Sequence, residues 1–307
     1  VSKGTNTEDK SIAIVDQFFA KAPEMRAHYD QSFANPLQAS EQRFQWDYWY
    51  LPDQYCLHRA PAHLFFSEDL YTEFEAALCH WGQQNLGCSE ISTPWISYYV
   101  HGGEQRLHAD NPHGPWAYVF SLSNWDEGQF EGGQTQILSE GVLDYWNRAE
   151  FRAGLETPHL FDSIAPEFNR LCVFDPRKPH GVSRVHGSRD PRHARVVLHG
   201  WFLRPQPTIE GGLESVDLSE PLGTVLNPAI DKVDEAGSYN GYVFFAVKIL
   251  EGGQVAEVKK IVSTLRAIRS GSEDVQVVEQ LLMAALDSAQ FPNSEDMSEL
   301  TMPLVFE

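Results

Sequence analysis

The sequence predicts a mostly β protein with supporting helices, followed by a small α/β domain. Three observations carry this. Residues 9–34 and 67–86 repeat apolar side chains at spacings of three and four, the period of a helix. From Ile91 to about Leu203 the period becomes two, in short runs separated by Gly and Pro. Beyond residue 238 a strand, a tight turn, a strand and an amphipathic helix follow one another. The 307 residues suit about two domains, and 42% hydrophobic content with 18 Phe, 11 Tyr and 8 Trp supplies a real core.

The elements follow in order. DKSIAIVDQFFAKAPEMRAHYDQSFA (9–34) reads as one helix. SEDLYTEFEAALCHWGQQNL (67–86) reads as a second, with Ser67 as N-cap and Gly87 as its stop. Helices ahead of a β core are expected on one face of a sheet. Candidate strands are 93–100, 105–108, 115–123, 134–138, 170–174, 180–185 and 194–203. Short strands with turns between them suggest a sandwich, barrel or jelly roll. Residues 140–168 have mixed signals and read as an excursion with helical turns. Residues 204–238 hold four prolines, several glycines and many acids, the composition of a linker or irregular connection. Then come the strand GYVFFAVKIL (241–250), the turn EGGQ (251–254), a second strand (255–264) and the helix 274–289, with Phe291-Pro292 after it. The expected organisation is a first domain at 1–203, a linker at 204–224 and a second domain at 225–307.

The formal net charge is −20, with half of the excess on either side of Leu203. Such a chain repels phosphate backbones and anionic bilayers, which argues against nucleic acid and membranes as partners. No stretch approaches the ~18 apolar residues of a membrane span. VSKGTNTEDK is polar, without a signal-peptide core, and the missing initiator Met points to a removed upstream segment. Cys56, Cys79, Cys88 and Cys172 form no CxxC pair and read as thiols of a reducing compartment, so the expected location is cytoplasmic.

The chemistry concentrates in LHADNPHGPWAYVFSLS (107–123). His108 and Asp110 are two residues apart on an extended segment, so their side chains share a face and reach one ion. His180 opens a new strand in FDPRKPHGVSRV (174–185), and a sheet folded on itself can bring it beside them. Two histidines and one carboxylate leave coordination sites open, the pattern of non-haem Fe(II) oxygenases. Thiolate pairs and HExxH are absent, which argues against structural zinc and a zincin. His186 is the rival third ligand. It lies in a polar, Arg-rich hairpin that reads as exposed, which favours His180. His113 reads as an outer or surface residue. A 2-oxoacid that chelates the iron leaves a distal carboxylate to be held in the core, and the planar fork of Arg suits that group. Arg195 opens the apolar strand RVVLHGWF, sharing a face with Val197, His199 and Trp201.

The succession YYVHGGEQRLHAD, PWAYVFSLS, FEGGQTQIL, FDPRKPHGVSRV and RVVLHGWF resembles the prolyl-hydroxylase branch of the Fe(II)/2-oxoglutarate dioxygenases over roughly residues 10–203. The resemblance implies a double-stranded β-helix, or jelly roll, supported by N-terminal helices. It implies His108, Asp110 and His180 as iron ligands, and Arg195 as anchor of the distal carboxylate of 2-oxoglutarate. His199 matches a position that adds a contact there, Tyr99 one that lines the cosubstrate pocket, and Trp201 a bulky pocket wall. Fe(II), 2-oxoglutarate and O2 are the implied cofactors, with ascorbate stimulatory. The retained Asp110 implies hydroxylation rather than halogenation, on a prolyl or other residue of a protein or peptide, with succinate and CO2 as coproducts. A small-molecule substrate, or a non-catalytic binding protein, is the alternative. Arg195 lies fifteen residues after His180, farther than in the family, and nine after His186; the PHGV context nevertheless matches His180. Residues 241–292 resemble the TonB C-terminal-like fold, which implies a protein partner for the second domain, bound by strand addition.

Overall fold

The computed structural model describes residues 12–35, 37, 45–110, 113–139, 141–142 and 159–306. The chain divides into two compact units: residues 1–77 with 91–202, and residues 78–90 with 203–307.

The first unit opens with a departure from the sequence reading. Residues 9–11 lie outside the described residues, and Ile12–Asp16 form a strand, β1, not the start of a helix. The apolar spacing that suggested a helix comes from Ile12, Ile14 and Val15, β-branched residues whose stiff side chains favour a pleated strand. A partner strand is available: β1 pairs antiparallel with Arg170–Phe174. Gln17, at φ 56°, ends it, and helix α1 (Ala22–Ala34) starts only afterwards, with a proline in its first turn.

Next come β2 (Asp47–Leu51), β3 (Tyr55–Pro61), the single turn α2 (Ala62–Phe65) and the long helix α3 (Glu68–Leu86). The strands after α3 are β4 (Trp95–Tyr99), β5 (Glu104–His108), β6 (Trp116–Ser121), β7 (Thr135–Leu138), β8 (Phe161–Ile164), β9 (Arg170–Phe174), β10 (His180–Val182) and β11 (Arg195–Pro205). Of the stretch 140–168, residue 140 and residues 143–158 lie outside the described residues. β2 and β3 were not foreseen, because the consecutive aromatics Tyr48, Trp49 and Tyr50 mask the period of two.

The strands form one antiparallel sheet in the order β1-β9-β6-β11-β4-β3-β5-β10-β7-β8, with β2 beside β3. It curls on itself into a double-stranded β-helix, the jelly roll expected. β3 is the strand at the bend. Its first residues pair with β5 (Tyr55 opposite Gln105), and its last with β4 (Arg59 opposite Ser97). Side chains alternate across the sheet. Phe120 faces outward, its ring 4.9 Å from Phe74 of α3, and Phe74 meets Phe19 at 5.5 Å. The helices thus cover the outer face, and the intervening residues are left to line the interior.

The second unit contains a further correction. The Pro-rich stretch 204–238 is not irregular: it holds β12 (Thr208–Gly211) and an 18-residue helix, α4 (Ser219–Ala236), with Pro228 inside it. Proline removes one helical hydrogen bond and argues locally against a helix. The buried stripe Leu222, Leu226, Ala229, Val233 overrides it, because that spacing puts all four on the core. Strands β13 (Tyr239–Ile249) and β14 (Val255–Ser263) form the expected hairpin. Gly253 takes φ 78° in its turn, where a Cβ would lie 2.0 Å from the Phe291 carbonyl oxygen. Helix α5 (Val275–Asp287) follows, N-capped by Asp274, which accepts from the Gln276 amide at 2.8 Å. The last strand, β15 (Ser298–Phe306), was not foreseen, yet it fills the middle of the sheet, whose order is β12-β15-β13-β14. Among the described residues no helix is long and apolar enough to cross a membrane.

Candidate metal centre

His108 is the last residue of β5, and Asp110 follows once the chain has left the strand, its amide donating to the Pro176 carbonyl at 2.8 Å. His180 is the first residue of β10 and pairs directly with His108. The two rings lie 4.3 Å apart. Nε2 of His108 is 3.5 Å from Asp110 Oδ1, and Nε2 of His180 is 3.5 Å from Oδ2. One ligand atom from each residue lies within 4.8 Å of the other two.

Hydrogen bonding fixes what these atoms offer. His108 Nδ1 meets the Arg106 carbonyl at 2.9 Å, and His180 Nδ1 meets the Lys178 carbonyl at 2.9 Å. A carbonyl only accepts, so each Nδ1 carries the proton and each Nε2 keeps its lone pair. Two lone pairs then converge on a carboxylate, an arrangement that repels unless a cation sits among them. A divalent transition metal fits this donor set, and backbone partners on the far ring nitrogens are the usual support of such ligands. Burial, then the charge of His180, lowers the His108 pKa, which favours its neutral, ligating form. Burial alone would raise the Asp110 carboxyl, but its interactions with His180, His108 and Trp201 outweigh that and lower it. Trp201 orients the carboxylate, its indole N–H donating to Oδ2 at 3.1 Å.

His186 lies elsewhere. It is exposed, in a two-residue strand against Phe130–Glu131, with its ring 6.0 Å from that of His101. The structure therefore groups His180, and not His186, with His108 and Asp110.

The register carries the site inward from the metal ligands. Residues directly opposite in antiparallel pairs share a face. Trp201 stands opposite Ala117, His199 lies between Trp95 and Val119, Val197 between Ser97 and Ser121, and Arg195 opposite Tyr99. Apart from Ser97 and Ser121, these residues line a cavity of about 430 Å³ that the three candidate ligands line as well.

Arg195 is 1% exposed, yet it is a cation. Its Nε–H donates to the Gly133 carbonyl at 2.6 Å and Nη2 to Thr135 Oγ1 at 3.1 Å, and its guanidinium lies 4.8 Å from the Tyr99 ring centroid. Nη1 is buried with no hydrogen-bond partner. A desolvated guanidinium with an unfilled donor is costly until an anion completes it. A carboxylate in the cavity is the group that would do so. The Gly132-Gly133 turn makes the carbonyl contact possible: at Gly132, φ 78°, a Cβ would lie 1.9 Å from the Arg184 carbonyl oxygen.

His199 Nε2 is 2.8 Å from Ser97 Oγ, and burial, with the charges of Arg195 and Arg59, pushes its pKa down to about 4. Tyr99 is buried, its hydroxyl donating to Gln105 Oε1 at 3.3 Å. His113, expected at the surface, is exposed but stacks on Trp201 at 4.6 Å and reaches the cavity mouth. Sequence reasoning missed Thr135, Gln105, Trp49, Trp95 and Arg59, all of which line the cavity. Period two could have flagged Thr135 in QTQIL and Trp95, four residues before Tyr99; Gln105 is out of phase with His108, and Trp49 and Arg59 sit on strands that no motif marked.

Residues 94–203 match the family model described as the 2OG-Fe(II) oxygenase superfamily. Among solved structures, the chain is similar to a prolyl hydroxylase in complex with a hypoxia inducible factor oxygen degradation domain peptide fragment from Trichoplax adhaerens. There the identity is 15% and the TM-score 0.44, covering 64% of this chain and 84% of that one. A Pseudomonas putida prolyl-4-hydroxylase gives 17% identity and a TM-score of 0.42, over 63% and 92% of the two chains. The viral collagen prolyl hydroxylase from Paramecium bursaria Chlorella virus-1, in complex with 2OG, gives 13% and 0.40, over 63% and 96%. No curated protein matches the chain in sequence. Residues 94–203 thus form a 2OG-Fe(II) oxygenase domain, and the protein is a 2-oxoglutarate-dependent dioxygenase that works with Fe(II), 2-oxoglutarate and O2.

Proposed function

We propose that the protein hydroxylates a residue-sized substrate in this cavity, with His108, Asp110 and His180 as the iron ligands and Arg195 as the anchor of 2-oxoglutarate. The observation that carries the reading is the pairing of two unmet demands in one cavity. Three ligand atoms converge with the spacing that suits one cation, and the buried guanidinium of Arg195 has a donor, Nη1, that no protein acceptor meets. Bound iron and cosubstrate supply the oxidising chemistry, in which 2-oxoglutarate goes to succinate and CO2 and one oxygen atom enters a substrate C–H bond. The chain's own groups do the rest. Trp201 holds the Asp110 carboxylate in orientation, and the Arg106 and Lys178 carbonyls hold the two imidazoles. Tyr99 and Thr135 flank the Arg195 fork, and His199, neutral and bonded to Ser97, offers a polar wall beside it. The apolar lining excludes water from the reacting centre.

The substrate expected from the sequence is a prolyl or other residue of a protein or peptide. A small molecule is the second reading, favoured by an unpartnered arginine in the same cavity. The C-terminal unit is read as a TonB C-terminal-like module that recruits a protein partner at the exposed edge of β14. A reducing, cytoplasmic setting suits the four free cysteines and the cosubstrate. Succinate release from 2-oxoglutarate with Fe(II), O2 and ascorbate tests the activity. Absence of turnover, coupled or uncoupled, from iron-loaded protein that binds 2-oxoglutarate would refute it.

A further inference from the structure

The cavity contains a second arginine that neither the metal ligands nor the cosubstrate anchor accounts for. Arg59 lies on β3, opposite Ser97 of β4, and so on the same inner face as Arg195, which stands opposite Tyr99 one step further along β4. Its guanidinium rests against two indoles, Trp49 and Trp95, at 4.0 Å from the ring centroid of the latter. Its Nε–H is buried and has no hydrogen-bond partner, and among the described residues Arg59 makes no ion pair. Asp47 stands opposite it on β2 and bears on its charge, yet does not reach it. Aromatic faces steady a cation, but they offer no acceptor to the N–H groups in its plane. The guanidinium is therefore held in place, lines the cavity, and keeps a buried donor, Nε–H, without an acceptor.

Charge counting shows what is missing. 2-Oxoglutarate brings two carboxylates. On the reading proposed above, one would serve the metal held by His108, Asp110 and His180, and the other would complete Arg195. Neither remains for Arg59. A peptide bond is neutral and cannot match a partly desolvated guanidinium as a carboxylate does. Space is also limited. A cavity of about 430 Å³ lies toward the small end of ligand sites, and here it takes cosubstrate and substrate together. We propose that Arg59, steadied by Trp49 and Trp95, is the substrate's anion site, and that it binds the free carboxylate of a small molecule such as an amino acid. This rests on the dioxygenase reading and specifies the substrate class of the same cavity. Trp95 stands opposite His199, and Trp201, two residues on, holds Asp110, so a carboxylate on Arg59 leaves the rest of the substrate to extend toward the candidate ligands.

The test uses the full chain, with two readouts. In the first, the twenty free L-amino acids and their α-amides are titrated into metal-free protein saturated with 2-oxoglutarate, and tryptophan fluorescence is followed, because Trp49 and Trp95 adjoin the site. In the second, the same probes, with capped peptides carrying Asp or Glu, are scored for succinate release above the uncoupled rate. The expected result is saturable binding and stimulation by at least one acid, with its amide at least tenfold weaker. Arg59→Gln should raise that acid's half-saturating concentration about a hundredfold, an effect at least tenfold larger than any it has on 2-oxoglutarate affinity. Arg59→Lys should recover part of the loss. Stimulation by capped acidic peptides but not free acids would overturn the small-molecule assignment. The carboxylate site itself is overturned if acids and amides behave alike, if no acid binds, or if Arg59→Gln weakens 2-oxoglutarate as Arg195→Gln does. Loss of uncoupled turnover in the unsubstituted protein would strike the dioxygenase reading instead, and the fluorescence titration would still decide Arg59.

Discussion

Replacing Arg195 by Met should nearly abolish the stabilisation that 2-oxoglutarate confers, while metal binding survives. The side chain gives up a charge that is 1% exposed and two hydrogen bonds, to Gly133 and Thr135, but keeps most of its volume. Removing one partner of a buried ion pair costs about 3–5 kcal/mol, because the other charge is left uncompensated. At about 1.4 kcal/mol per tenfold, 2-oxoglutarate should bind on the order of a hundredfold to a thousandfold more weakly. The ligand-free protein should lose far less, since the orphaned Nη1 already carries a desolvation penalty that the variant escapes. Thermal unfolding of the Mn(II)-loaded protein, with and without 2-oxoglutarate, separates the two effects. At a ligand concentration a hundred times the wild-type Kd, linkage gives the wild type about 2.7 kcal/mol. A hundredfold weaker variant gains about 0.4 kcal/mol under the same conditions. For a domain of this size the corresponding shifts are about 5–10 °C and about 1 °C. An undiminished shift in Arg195→Met would refute the anchor assignment. Equal destabilisation with and without ligand would show that the arginine is structural only.

Three further outcomes are expected. His180→Ala should abolish Fe(II) binding, measured by metal analysis after gel filtration, and turnover with it, whereas His186→Ala should leave both within about twofold of wild type; the reverse would transfer the ligand role. Trp201→Phe keeps the ring and removes the hydrogen bond to Asp110, and should weaken metal affinity about tenfold to a hundredfold in a chelator competition. His199 has a folded pKa of about 4 against an ordinary 6.5, so between those values the unfolded chain takes a proton that the folded chain refuses. Its contribution is intact above pH 6.5 and is lost as pH falls toward 4, by about 3 kcal/mol at most. Urea unfolding of metal-free His199→Gln should therefore show a shallower acid limb than wild type over that window, and an unchanged limb would contradict the buried, neutral imidazole.

How far the sequence could be read depends on where local pattern and tertiary packing agree. Strict alternation fixed the inner face of β11, so Arg195, His199 and Trp201 were legible together, and the Pro turn before His180 marked a new strand. Spacing along the chain could not decide between His180 and His186; only the pairing of His180 with His108 brings one of them to Asp110. Arg59 was illegible because β2 and β3 carry aromatics on both faces, at Tyr48, Trp49 and Tyr50, which hides the period. β1 was misread because Ile12, Ile14, Val15 and Phe18 satisfy helical spacing as well as they satisfy a strand, and the deciding partner, β9, lies more than 150 residues away. α4 was hidden by Pro221 and Pro228, local penalties overcome by a buried stripe that becomes visible only against β13.

The two sheltered arginines also bear on how ligands arrive. The chain as a whole carries a net charge of −20, while the cations that attract an anion sit inside a cavity. An approaching dianion therefore crosses a repulsive outer field before it feels the attraction within. Within a Debye length of about 10 Å at 0.1 M salt, the outer field is the part most readily screened. Stopped-flow association of 2-oxoglutarate should accordingly speed up as moderate salt is added, the opposite of the usual behaviour for an anion joining a cationic site. Ionic strength would then act on this enzyme as an accelerator of cosubstrate capture, with its surface charge as the brake.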